Sequence, residues 1–108
     1  MTLEEVTSIL KTTGLPVTYY MWGNKVPSLP YLVYYYPSNN DEYADGANWI
    51  DIKQLNIELY TENKDFELEK KVEQVLKEND LSFLKSESYL NDENMYEVLY
   101  ESEVIIDG

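Results

Sequence analysis

The sequence predicts an α+β fold: a mainly antiparallel sheet with two helices on one face, in the order α-β-β-β-α-β-β, and a long protruding β-hairpin. Three observations predict it. Leu55, Ile57 and Leu59 alternate with Asn56, Glu58 and Tyr60, the period of two of a strand with one dry face. Leu68, Val72, Val75 and Leu76 follow at helical spacing and form a single stripe. Near the end, Tyr96, Val98, Tyr100, Val104 and Ile106 share one face, broken by Ser102, while Glu97, Glu101 and Glu103 share the other with Met95 and Leu99. Such alternation belongs to an antiparallel sheet with one wet side.

The elements follow in chain order. Thr2 is a good N-cap type, with Glu5 placed as its capping-box partner. Leu3, Val6, Ile9 and Leu10 then make a short amphipathic helix, which Gly14 ends and Pro16 keeps from continuing. Val17 to Trp22 reads as a strand, and 23–30 as a loop holding Pro27 and Pro30. Tyr31 to Tyr36 has bulk on both faces, so it should be a strand that is central or covered on both sides. The polar run 37–47 reads as a large hairpin tip.

The returning strand runs from Asn48 to Tyr60. At about 3.3 Å per residue it spans on the order of 40 Å, roughly twice the usual strand. Its pattern changes phase, with Ile50 and Ile52 on one face and Leu55, Ile57 and Leu59 on the other. A bulge near Lys53–Gln54 would explain the change, and so would an arm that leaves the core. Asp65 to Glu78 is the second helix, closed by Asn79–Asp80. Leu81 to Leu90 and Met95 to Ile106 form a final hairpin around the turn 91–94.

The chain has 108 residues, enough for one domain over 1–108. No run approaches the roughly 20 apolar residues of a membrane span, and the N-terminus lacks a signal-peptide profile. The expectation is a protein made and kept in a cytoplasm, or assembled there into something larger. The net charge is −13 and is unevenly placed. Charges in residues 1–40 cancel, while residues 41–108 hold nineteen acids against six lysines. Such a surface repels phosphate, and the chain has no arginine, so nucleic-acid binding is disfavoured. Simple solubility, a basic partner and mimicry of nucleic acid all remain open as reasons for the charge. Eleven tyrosines suit either a subunit interface or a small sheet that uses aromatic residues as strand formers.

Candidate chemistry is sparse. There is no histidine and no cysteine, so the common general bases, thiol nucleophiles and zinc ligands are missing. No glycine-rich phosphate loop is present, and no cofactor is expected. Asp41, Tyr43, Asp45 and Gly46 have the spacing that starts an EF-hand loop. The pattern fails at Tyr43 and at Ile52, so an acidic turn is the better reading. Glu67, Glu69, Glu73 and Glu78 interleave with Lys70, Lys71 and Lys77 and read as a solvated helix face. Tyr34, Tyr36, Tyr43 and Trp49, with Asp41 and Asp45, cluster at the proposed hairpin and are candidate interface residues, against the plainer reading of hairpin packing.

The ordered pieces GLPVTYYMW at 14–22, LPYLVYYYP at 29–37, ADGANW at 44–49, IELYTENKDFELEKKVEQVL at 57–76 and YLNDENMYEVLYESE at 89–103 cover most of the chain. Together they resemble the small tail-completion or tail-terminator proteins of long-tailed phages and prophages of Gram-positive bacteria. The resemblance implies an α+β subunit that forms a ring, usually of six, at the head-proximal end of the tail tube. It implies no catalytic residue, and partners that are further copies of the chain, tail-tube proteins and head-completion proteins. It implies assembly in the host bacterial cytoplasm and a final place in the virion. It carries no interface map. The acidic surface is a departure, although a ring lumen that repels phosphate would not retain a passing genome.

Two other classes compete. A small acidic inhibitor, an immunity protein or DNA mimic, would bind a basic partner with steep salt dependence. An enzyme would have to work with carboxylates alone, for instance Asp41 with Asp45.

Overall fold

The computed structural model describes residues 1–39, 42–43 and 49–107, with the backbone alone for 42, 43 and 49. Helix α1 spans Leu3–Lys11. The Thr2 side chain accepts from the Glu5 amide at 3.1 Å, satisfying one of the amides that a helix start leaves unpaired. Gly14 then takes a φ of +82°, which favours glycine. The second helix, α2, spans Phe66–Glu78, with Asp65 accepting from the Leu68 amide at 3.0 Å. It stops in a Schellman arrangement. Asp80 turns left-handed, its amide bonds to Lys77, and the Leu81 amide reaches back to Leu76 at 2.9 Å.

Six strands follow the expected order, with one short addition: β1 (Val17–Tyr19), β2 (Tyr31–Tyr35), β3 (Glu42–Tyr43), β4 (Trp49–Thr61), β5 (Phe83–Leu90) and β6 (Met95–Ile106). They lie in the order β1-β2-β4-β6-β5, with β3 off this path and paired to β4. Among the described residues only the β1–β2 pair is parallel. Strand β1 is shorter than Val17 to Trp22 because Tyr20 takes a left-handed backbone, φ +68°, which turns the chain off the sheet. Strand β5 starts at Phe83 rather than Leu81 because Leu81 is held in the helix cap.

On its β6 side no bulge interrupts β4; on the other side the register steps by one residue between Tyr35↔Asn56 and Asn39↔Lys53, with the extra residue on the strand opposite β4. Pairing with β6 keeps one register from Asp51↔Ile106 to Thr61↔Tyr96, so no residue is inserted at Lys53–Gln54. The phase change arises because Leu55, Ile57 and Leu59 face the helices while Ile52, also buried, faces the other way. Residues 51–54 are not a bare arm, since they still pair with 103–106, and Lys53 also bridges to Asn39. The hairpin projects past β6 only at Trp49–Ile50, where β3 is its partner.

Val6 and Leu10 of α1 and Val72 and Leu76 of α2 pack on Leu32, Tyr34, Leu55, Ile57, Leu59, Val98 and Tyr100. These sheet residues occupy alternate positions on one face, so both helices sit on that face. Burying each aliphatic side chain contributes about 1.5–3 kcal/mol.

One expected solvated charge lies inside this layer. Glu69 is only 1 % exposed and pairs with Lys64 at 2.7 Å and Lys85 at 2.9 Å, neither of them on its own helix. Lys85 also reaches Glu73 at 2.8 Å, and Glu73 accepts from the Tyr100 hydroxyl at 2.9 Å. A helical-spacing argument pairs Glu69 with helix lysines, but the stripe of Val72 and Leu76 turns it toward the sheet. Burial opposes its ionisation, yet hydrogen bonds from Lys64 and Lys85 outweigh that and hold its carboxyl below the usual range.

Glu69→Gln should cost about 3 kcal/mol at neutral pH, because two partly buried lysines lose their shared anion. Because the native value is depressed, this stabilisation is present above the usual carboxylate range and is lost as pH falls through the lowered value. Urea melts at neutral and acid pH test this: the wild type should lose more stability on acidification than the variant, and equal midpoints at neutral pH would sink the clamp.

Candidate functional site

Two aromatic surfaces flank the sheet. The first lies beside α1, where Tyr19, Tyr34 and Tyr36 take alternate positions on the helix side of β1 and β2 and just beyond. Their rings are 5.2 to 6.2 Å apart between centroids. Tyr34 is the floor: it is buried and hydrogen-bonded to the Thr7 hydroxyl. Tyr36 is half-buried, and burial pushes its hydroxyl up to about 12. Leu3 and Tyr19, 43 % and 49 % exposed, form the rim of a groove of about 280 Å³. This is apolar, partly wet surface of the kind that subunits cover.

The second surface is the sheet face away from the helices. Strand alternation places Tyr31, Val33 and Tyr35 opposite Tyr60, Glu58 and Asn56, with Glu97 beside Tyr60 on β6. A polar chain crosses it. Gln54 donates to Asn56, Asn56 to the Tyr35 hydroxyl, and Tyr35 to Glu58, all at 3.3 to 3.4 Å. The Tyr60 hydroxyl lies 2.8 Å from Glu58 and 3.0 Å from Glu97. A hydroxyl has one proton, so it can satisfy only one of two carboxylates at a time. Burial is the main cause that holds the Glu58 carboxyl above its usual range; the Tyr60 bond opposes this and the Glu97 charge adds to it. Burial and both carboxylates push the Tyr60 hydroxyl up.

After β1 the chain turns at Tyr20 and lies over this face. The Tyr20 ring meets Tyr35 at 5.7 Å, and Trp22 meets Tyr31 edge-on at 5.6 Å. A groove of about 270 Å³ remains between this segment, the start of β6, Glu58 and Tyr60.

The expected interface set is divided by the structure. Tyr34 packs within the chain's own core and Tyr36 lies at the edge of the α1 surface. Tyr43 and Trp49 pair backbone to backbone at the hairpin tip, and Asp41 and Asp45 lie outside the described residues. Sequence reasoning missed the Glu58–Tyr60–Glu97 cluster. Its signal was present in the alternation that puts Glu58 and Tyr60 on the wet face of β4 and Glu97 on the wet face of β6. Among the described residues there is no group of three or more acidic side chains placed to hold a metal, and no helix long and apolar enough to cross a membrane.

No family model matches the chain, and no curated protein matches it. Among solved structures it is similar to a chain of the virion of a native gene transfer agent particle, with a TM-score of 0.66 and 14 % identity. The match covers 94 % of this chain and 86 % of the other. At that identity the likeness establishes a shared fold.

The raised Glu58 carboxyl gives a prediction opposite in sign to that for Glu69. Its native value lies above the unfolded one, so ionisation at neutral pH opposes folding, and acidification through the raised value relieves this. Glu58→Gln, which keeps an acceptor for Tyr60, should melt higher than wild type at pH 7, with the gap closing toward pH 4. A variant that melts lower at pH 7 would contradict it.

Proposed function

We propose that this chain is a non-enzymatic structural subunit of a phage or phage-like virion, a tail terminator or tail-completion protein that forms a homo-oligomeric ring at the head-proximal end of the tail tube. The observation that carries the reading is the fold shared over 94 % of the chain with a virion component. The resemblance in the ordered sequence pieces points to the tail. Surface chemistry is consistent with assembly. The sheet ends in two unlike edges, the three-residue β1 and the eight-residue β5. Unlike surfaces that meet head to tail close into rings when the rotation permits. The Leu3–Tyr19–Tyr36 patch beside the β1 edge is suited to such a contact, and the hairpin residues Tyr43, Trp49, Asp41 and Asp45 are proposed to extend it.

The partners are then further copies of the chain, usually six to a ring, with tail-tube and head-completion proteins above and below. The proposed location is the host cytoplasm during assembly and the virion afterwards. The acidic sheet face keeps the inhibitor reading as the alternative.

Light scattering over a wide concentration range tests the ring. The expected result is a discrete species near six subunits, reduced to smaller species when residues 38–47 are deleted or Tyr19 is changed to Asp. A monomer at every concentration counts against a ring that forms unaided and brings the acidic inhibitor forward. An oligomer untouched by the deletion removes the hairpin from the contact.

A further inference from the structure

The groove on the open sheet face has a composition that the tyrosine patch beside α1 lacks. Trp22, Tyr31 and Tyr60 supply aromatic surface, Met95 an apolar edge, and Glu58 and Glu93 two carboxylates. No lysine lines it. Lys64 and Lys85, which pair with Glu69, point to the helix side, and the remaining described ion pairs are those of Lys53 with Asp51 and of the N-terminus with Asp107. The groove's acids therefore have no cation among the described ion pairs. The backbone is bent to make this place, since Tyr20 adopts a left-handed conformation that is unfavourable for a non-glycine residue. That turn brings Trp22 over Tyr31 and leaves Met21 68 % exposed at the rim. The Trp22 indole nitrogen is buried without a hydrogen-bond partner among the described residues.

We infer that this groove receives an arginine side chain from a segment of a different protein. A guanidinium fits the three features together. Its flat face stacks on aromatic rings, its N–H fork bonds carboxylates, and it is more weakly hydrated than an ammonium. The occupant is not a second copy of this chain, because the chain has no arginine and each copy carries a charge of −13. A basic neighbour is the electrostatically complementary one. This inference rests on the structural-subunit reading only in expecting the neighbour to be a protein; it does not require a ring.

The test is an NMR titration of the full chain with a tetra-arginine peptide in about 150 mM salt, where long-range attraction is screened. The expected result is a shift of the Trp22 indole and of the Met21 and Met95 methyl signals. The double variant Glu58→Gln/Glu93→Gln should weaken binding about tenfold, whereas Glu67→Gln/Glu78→Gln, the same change of charge on α2, should weaken it by less than about twofold. Met21→Lys, at an exposed position that tolerates substitution, supplies a competing cation and should also weaken binding. Equal weakening by the two double variants, or shifts that avoid Trp22 and Met95, overturns the inference. The same samples are weighed by light scattering. An oligomer that dissolves in the Glu58/Glu93 variant would make the occupant a second copy and overturn the inference while leaving the ring. Peptide binding by a monomer would uphold the groove and count against the ring.

Discussion

Strand β4 sets the rest of the molecule. It pairs with β2 on one side and with β6 on the other, and the β6 pairing runs through eleven residues in one register. Side chains alternate across a strand, so a slip of one residue would carry Leu55, Ile57 and Leu59 out of the helix layer and put Asn56 and Glu58 into it. The register is thus fixed by the cost of burying unpaired polar groups against the gain from burying aliphatic ones. The open face is a consequence. Once the odd positions of β4 are committed to the core, Gln54, Asn56, Glu58 and Tyr60 must stand together on the other side. The groove and the core are therefore two outcomes of one alternation.

The two glutamates that matter most show how position decides chemistry. Glu69 and Glu58 are the same residue type, and both are withdrawn from water. Glu69 meets two lysines and is held ionised; Glu58 meets tyrosines and another carboxylate and resists ionisation. Burial penalises the charge in each case, and the sign of the outcome depends on whether a cation is within reach. The helix layer supplies those cations from the 61–66 turn and from β5, on the face that β5 turns toward the helices. Among the described ion pairs the opposite face has no equivalent.

Much of the framework was legible in the sequence, for local reasons. Thr2, Asp65 and Gly14 mark helix ends through their own backbone and side-chain chemistry, and β6 reads directly from its alternation. What was not legible depends on contacts distant in sequence. A left-handed tyrosine at position 20 carries no sequence signal, so the sequence pattern extends β1 three residues beyond its end at Tyr19. Glu69 lies among lysines at helical spacing, and only the fold shows that its partners are Lys64 and Lys85. The phase change in β4 was read as a bulge or an arm, because sequence alone does not reveal that both faces of a strand can be covered at different points along it. The sequence singles out Tyr34 and Tyr36 and gives the Tyr31–Tyr36 strand bulk on both faces, but it does not say which neighbours each face meets: Tyr34 faces α1 and Tyr35 faces Glu58.

The charge distribution bears on the proposed assembly. Repulsion between copies of charge −13 is strong only over about a Debye length, ~8 Å at physiological salt. Contacts made through a locally neutral surface are thus spared most of it. Residues 1–40 carry no net charge and contribute α1, β1, β2 and the Leu3–Tyr19–Tyr36 patch. Most of the acids lie elsewhere, although Glu4 borders that patch, and those of the open sheet face stand on β4, on β6 and at Glu93 in the turn before β6. In the proposed assembly the chain meets its own copies through the aromatic side beside α1 and offers its acidic aromatic side to a basic neighbour. Like charge would then keep the second side from competing for the first, so that the two kinds of contact remain distinct without any catalytic or ligand-driven switch.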